Sequence, residues 1–529
     1  MKVYEVGYLV LLFIVGTLLW TLPIQSDQLP FGEGDAAWHF ANGDWATKTD
    51  HVYWRFPFYI STWYYNYNTI LGPGALEYPP PYHVGYSIFQ IIGGQRFIPV
   101  YILIAISSFL AAFAVFVLLR KLYGFPTAVL ASAAIVFSFR EIMVYLWGQR
   151  PTILSFAFVP LILYSLFRYY DGYYKNQPKV VYLYLTGMLL ISQFLVHPQG
   201  AMLSFASIII YLILQSFRKK QFPVNKSNLI HFFVLLAISA MIILPFINIY
   251  RGAQSGVENN IQIKDMHRLF DWMEVKDREG YPNNLGGPPI IFYEMNKVYF
   301  PFYYIFVWIG ILYLLIRRDD KDILILSWLV ALYLLIHLDV LGLMPFGRLS
   351  RMLMGETALF YSIIAIGIIG IPNLFLKEDK KHYVYVIVGI LLFGLVLYNG
   401  KTAYDVLNNA YKYPLRISQE QYETAQWIDN NLPQDAYLYY VGVITYPKQR
   451  FMYVLSHRPG VWQSDRVDYP WMNITNILID YSDAVKLNNQ QIINELSNYE
   501  QQFINAGLAP VYNQSNIRIY NISGGRLAK

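Results

Sequence analysis

The 529-residue chain contains no cysteine, which excludes disulfides, thiolate metal sites and a cysteine nucleophile. It is also poor in charge: Asp, Glu, Lys and Arg make up 14% of residues, against about a quarter in soluble domains. Apolar residues take that place at 56%, the composition of a protein that resides in lipid. Signatures of several enzyme classes are missing too. There is no G-x-x-x-x-G-K-[ST], no G-x-S-x-G and no H-E-x-x-H, which argues against P-loop ATP hydrolysis, serine hydrolysis and zinc proteolysis. No inverted pairing of spans points to a transporter. The net charge of +6 is scattered in small clusters between apolar runs, so nucleic acid is not expected as a partner.

What is present is a series of apolar runs of membrane-crossing length. They fall near residues 4–22, 97–119, 125–146, 152–170, 180–196, 200–217, 229–250, 298–316, 322–340, 357–376 and 382–399, giving about eleven transmembrane helices. The first run lacks a small-residue cleavage site and is expected to stay as a span. VGYSIFQIIGG at 84–94 is too short to cross and follows three prolines. It is expected to lie in the interface as an amphipathic helix.

With that assignment, alternate loops collect the positive charge: Lys2, Arg120–Lys121, Arg168 with Lys175 and Lys179, RKKQFPVNK at 218–226, Arg317–Arg318–Lys321, and Lys377 with Lys380–Lys381. The positive-inside rule makes that side cytoplasmic. The expectation is a multi-pass cell-membrane protein with its N-terminus inside and its C-terminus outside. The long segments 23–96, 251–297, 341–356 and everything after about 400 then lie outside, where the chemistry is expected. Segment 251–297, with the helical patch KDMHRLFDWMEV, reads as a lid over an acceptor or lipid entrance.

The predicted organisation is a membrane domain, 1–400, followed by a small extracytoplasmic α/β domain, 401–529. In the latter, SQEQYETAQWIDNNLPQDAYLYYVGV reads as a helix, a proline turn and a strand. A second helix pattern spans about 489–506, and short apolar runs follow at 508–512 and 517–522. Sequons at Asn473, Asn513 and Asn521 fall in this domain, whereas the one at Asn225 lies in a predicted cytoplasmic loop.

Within LPFGEGDAAWHF, Asp35 and His39 are spaced i, i+4 and share one face if DAAWHF opens a helix. One reading makes Asp35 an N-cap after Gly34 and His39 a surface residue. The other makes Asp35 a general base or metal ligand at the membrane edge, with His39 orienting it or contacting phosphate. Glu33 and Glu77 are weaker candidates of the same kind. Arg140 and Glu141 interrupt the third span, where ionisable groups face a cavity or a partner. They are either an internal pair or part of a site. Arg150 ends that span, and His197 in LVHPQG ends the fifth. Arg348 and Arg351, at i, i+3, place two guanidinium groups on one face of an outer segment, against the positive-inside bias. They clamp a phosphate or attract lipid headgroups.

These features together resemble the GT-C superfamily of membrane glycosyltransferases, which includes protein O-mannosyltransferases, aminoarabinose transferases and the oligosaccharyltransferase catalytic subunit. The matching stretches are GDAAWHF, EYPPPYHVGYSIFQIIGG, LLRKLYG, LVHPQGA and ETAQWIDNNLPQDA. The resemblance implies a GT-C-like helical membrane fold and a hexosyl- or pentosyltransferase. Its donor would be a sugar on a polyprenyl (dolichyl or undecaprenyl) phosphate, and its acceptor a protein, lipid or glycan. Asp35 would be the catalytic base or a ligand for a divalent cation, Mg or Mn, with His39 beside it. By placement, Arg348, Arg351, His197 and Arg150 would hold the donor phosphate. The chain departs from oligosaccharyltransferases in lacking WWDYG, of which VWQSDRVDYPW is a faint echo. It departs from O-mannosyltransferases because Ala36, not an acid, follows Asp35. Two rival readings are a lipid or polysaccharide transporter and an inactive GT-C-like scaffold subunit. The candidate ionisable residues crowd toward one surface instead of continuing across the spans, which favours the enzyme.

Overall fold

The computed structural model describes residues 2–32, 36–49, 81–148, 150–244, 303–336, 355–375, 382–409, 416–442, 446–462 and 474–523. The expected lid at 251–297 and the sequon at Asn473 lie outside these residues.

The apolar runs fold as helices because only a helix satisfies its own backbone where water is absent. In chain order the helices are α1 (Val3–Trp20), α2 (Ala36–Thr49), α3 (Pro81–Gly93), α4 (Ile98–Leu122), α5 (Phe125–Val136), α6 (Phe139–Trp147) and α7 (Arg150–Tyr174). There follow α8 (Val180–Val196), α9 (Pro198–Lys219), α10 (Lys226–Ile243), α11 (Tyr303–Arg317), α12 (Asp320–Ile336), α13 (Glu356–Phe375) and α14 (His382–Leu395). A π-helical turn, Val396–Gly400, joins α14 to α15 (Lys401–Asn409). Among the described residues, six stretches are long and apolar enough to cross a membrane, and four shorter apolar helices accompany them.

The run at 125–146 is two helices rather than one. Ser138 leaves the helical conformation and caps the N-terminus of α6, its Oγ accepting from the Glu141 N–H. Gly148 then ends α6 at φ +86°, a conformation that favours glycine, and α7 restarts at Arg150. Elsewhere small residues let helices touch through their backbones. A Cβ on Gly310 of α11 would lie 2.3 Å from the Ile363 carbonyl oxygen of α13, so any larger residue would force these helices apart.

Helices α2 and α3 pack against each other, and α3 packs on α4. The sequence expectation of an amphipathic α3 is met: Tyr82, His83, Tyr86, Ser87 and Gln90 are buried, while Ile88, Ile91 and Ile92 are exposed. After α15 the chain forms α16 (Gln419–Asn431), β1 (Leu438–Gly442), α17 (Tyr446–Ser456), β2 (Gly460–Trp462), β3 (Asn476–Asp480), α18 (Gln490–Asn505), β4 (Pro510–Gln514) and β5 (Ile517–Asn521). The sheet order is β2-β1-β3-β5-β4. Strands β1, β2 and β3 run parallel, and the β4–β5 hairpin pairs antiparallel to β3 through β5. Tyr439, Val441, Ile477 and Ile479 alternate onto one face and bury Leu496 and Phe503 of α18. Helix α17 rests on α2, so this sheet domain sits over one end of the helical bundle, here termed the domain end.

Candidate functional site

Buried polar and charged side chains form three groups among the helices of the bundle. His39 on α2 is fully buried rather than the surface residue of one sequence reading, and its Nδ1 lies 3.0 Å from Nε2 of His83 on α3. Burial pushes the His83 imidazole down to about 3, so it is neutral at pH 7. A neutral His83 ring can serve as donor or acceptor in this contact, depending on its tautomer.

Arg150, the first residue of α7, is also buried. Its Nη2 donates to the Phe31 carbonyl at 3.1 Å, and its guanidinium lies 4.8 Å from the Tyr101 ring centroid. Phe31 stacks on Tyr101 at 4.4 Å, and the Tyr101 hydroxyl donates to the Phe31 carbonyl at 2.6 Å. Tyr86 and Tyr145 complete the surroundings. Among the described residues the Nε and Nη1 groups of Arg150 have no well-aligned hydrogen-bond partner, the Tyr101 and Tyr86 hydroxyls lie beside the guanidinium, and no carboxylate pairs with it. A buried guanidinium without a counter-ion is poised for an anion.

A second group forms where α6 meets the start of α13. Arg140 pairs with Glu356 (2.5 Å), both side chains being almost wholly buried. The sequence offered the neighbour Glu141 as the pairing partner; across the fold it is Glu356, because adjacent helical residues point in different directions. Glu141 instead lies against Thr357. The third group surrounds His197, which separates α8 from α9. Its Nδ1 accepts from the Gln199 N–H at 3.3 Å as an N-cap, while its carbonyl accepts from Ser155 Oγ at 2.7 Å. Gln193 Nε2 donates to the Ser155 carbonyl at 2.8 Å.

Asp35, Glu33, Glu77, Arg348 and Arg351 lie outside the described residues; of the sequence candidates, His39, Arg150, Arg140, Glu141 and His197 are described, in the separate groups above. It adds His83, Glu356, Asn42 and Tyr101. His83 stands 44 positions from His39 with no local signal linking them. Glu356 reads in sequence only as the polar start of a span.

A divalent cation needs several convergent oxygen or nitrogen donors. Among the described residues no three carboxylates or imidazoles converge, and Arg140 already neutralises Glu356. The described donors therefore do not fit a metal ion.

The sheet domain is held to α2 by a network of charges. Arg96 grips Asp44 through Nε (2.8 Å) and Nη2 (2.6 Å), and His457 Nε2 lies 3.2 Å from the same carboxylate. His457 Nδ1 lies 3.0 Å from Asp429 on α16, which Lys48 also meets at 3.0 Å. Burial works to raise the Asp44 carboxyl, but Arg96 and His457 outweigh it and hold it well below the usual range. For Asp429 burial is likewise outweighed, by His457 and Lys48, and the carboxyl falls to about 2.

The apo oligosaccharyltransferase of Archaeoglobus fulgidus superposes with a TM-score of 0.60 at 14% identity, over 91% of this chain and 70% of that one. The same archaeal enzyme, AglB, in complex with an inhibitory peptide and a dolichol-phosphate gives 0.54 at 14%, over 90% and 69%. Another of its structures is a complex with Zn and sulfate. ArnT from Cupriavidus metallidurans bound to undecaprenyl phosphate gives 0.54 at 11%, over 97% and 98%. No curated relative matches by sequence. At these identities the likeness is one of fold, and the fold is that of the GT-C membrane glycosyltransferases which the sequence motifs resemble. By sequence the match is to the family described as Family of unknown function (DUF6541), over residues 2–355. This chain, with a GT-C fold and a sheet domain seated on its polar end, belongs to the DUF6541 family.

Proposed function

We propose that the protein transfers a sugar from a polyprenyl-phosphate donor to a hydroxyl acceptor at the outer face of the membrane. One observation carries the reading: Arg150 is a buried guanidinium that no carboxylate among the described residues pairs with, and its Nε and Nη1 nitrogens have no well-aligned hydrogen-bond partner there. A phosphate is the anion that the chemistry of such lipids supplies, and AglB and ArnT are structures with dolichol-phosphate and undecaprenyl phosphate, respectively. In this reading residues 1–400 lie in the membrane and 401–529 outside it.

The acceptor hydroxyl is deprotonated or oriented by Asp35 and attacks the anomeric carbon. The carbon–oxygen bond to phosphate breaks, and the polyprenyl phosphate leaves with the bonding pair. That leaving group needs charge stabilisation more than a proton, which Arg150, Arg348, Arg351 and His197 supply. His39, four positions along the chain, orients the base. Purified protein incubated with radiolabelled polyprenyl-phosphate sugars should release the sugar, slowly to water and faster to an acceptor. No release even to water would favour a transporter or an inactive scaffold. Asp35→Asn should abolish release while leaving the protein inserted and folded, and wild-type-like transfer by it would remove Asp35 from the mechanism.

A further inference from the structure

Helix α2 carries a side chain that nothing among the described residues satisfies. Asn42 is fully buried, and both ends of its amide, Oδ1 and Nδ2, lack a hydrogen-bond partner. Leaving one buried polar atom unmet is uncommon; leaving the donor and the acceptor of one amide unmet is rarer still. A leucine has the same branched shape, with methyl groups in place of the amide oxygen and nitrogen, and would leave no polar group unmet. The amide cannot escape by moving α2, because the next residue pins the helix. A Cβ at Gly43 would lie 2.4 Å from Tyr86 Cβ and 3.0 Å from the His83 carbonyl, so α2 and α3 touch there with no room between. Asn42 shares its helical face with His39 and Trp38, one turn earlier and both buried. The unmet amide thus stands beside the paired histidines and not in an isolated corner of the core.

We propose that Asn42 is a binding residue for a hydroxyl-bearing ligand, its Oδ1 accepting from one hydroxyl and its Nδ2 donating to the oxygen of a neighbour. A vicinal pair of sugar hydroxyls offers that pattern. This rests on the glycosyltransferase reading, in which both the donor sugar and the acceptor bear hydroxyls, and the test separates the two sources.

The experiment uses the full chain in lipid nanodiscs with a radiolabelled polyprenyl-phosphate sugar, comparing wild type with Asn42→Leu and the smaller Asn42→Ala. Removing both hydrogen-bonding groups should leave the melting temperature of Asn42→Leu equal or higher, while a kinetic constant worsens about ten-fold. A raised donor KM in hydrolysis to water assigns the amide to the donor sugar. Unchanged hydrolysis with slower transfer to a hydroxyl acceptor assigns it to the acceptor. If release of sugar by Asn42→Leu and Asn42→Ala matches wild type, the amide holds only a trapped water and the proposal falls, whichever way their melting temperatures move. A wild type that releases no sugar at all sinks the underlying reading and this proposal with it.

Discussion

Both ends of the helical bundle pair charges, but the domain end also buries a guanidinium that no carboxylate among the described residues meets. At the end away from the sheet domain, ionic groups stand in ion pairs. Glu5 of α1 pairs with Arg120 of α4. Arg317 grips Asp322, with Asp319 beside them, and Tyr123 donates to Asp322 at 2.9 Å. Asp320 takes Lys219 at 2.8 Å and Arg218 at 3.3 Å. At the domain end, Arg150 and Asn42 are buried with hydrogen-bonding groups unmet. Paired charges tie helices together, whereas buried groups without partners are costly and persist where a ligand completes them. That difference is the ground for proposing the site at the domain end.

The largest test of that contrast is Arg150→Met. Transfer should fall about 10²–10³-fold, as for loss of a donor that stabilises developing charge, with stability kept because no ion pair is broken. A radiolabelled transfer assay beside a melting curve reads both, and an active Arg150→Met would erase the distinction between the ends. Arg317→Met is the mirror experiment. It leaves the buried Asp322 carboxylate without its cation and should destabilise by about 3 kcal/mol while sparing turnover per folded molecule. Thermal or denaturant unfolding in detergent would measure it.

Smaller effects sharpen the comparison at the domain junction. Asp44 and Asp429 have carboxyls depressed in the folded state, so their contribution is present above about pH 4 and lost as pH falls through their folded values. Limited proteolysis between α15 and α16 should therefore accelerate below about pH 4 in the wild type, and less so in Asp44→Asn, which is looser from the start. Resistance to acid that is the same in both proteins would remove the network as the anchor. Asp480 runs the other way. Burial pushes its carboxyl up to about 6, against the hydrogen bonds from Ser482 and Gln421. Stability of the sheet domain should thus decline as pH rises from about 4 to 6, and Asp480→Asn should flatten that slope in unfolding experiments.

Much of the scaffold was legible from residue order. Apolar runs marked the bundle helices, and SQEQYETAQWIDNN, with its Ser418–Gln421 capping box, marked α16 closely. The break within 125–146 was not legible, since Ser138 sits in an otherwise apolar run and acts only through its cap to Glu141. The sequons divide in a similar way. Asn513 and Asn521 are exposed, but Asn225 is an N-cap whose side chain accepts from Asn228. The position of each could be read from the chain, but not what its amide is doing.

The sequence by itself determined where the helices lie, which of their faces are apolar, and that ionisable residues crowd the segments joining them. Those properties depend on neighbours a few positions apart, through periodicity and solvation. Only the tertiary structure decided that Arg140 meets Glu356 instead of Glu141, that His39 meets His83, and that Arg150 and Asn42 are left with groups unmet. Whether a buried polar atom has a partner depends on every chain segment that reaches it, and segments distant in sequence reach it only when the whole fold has closed.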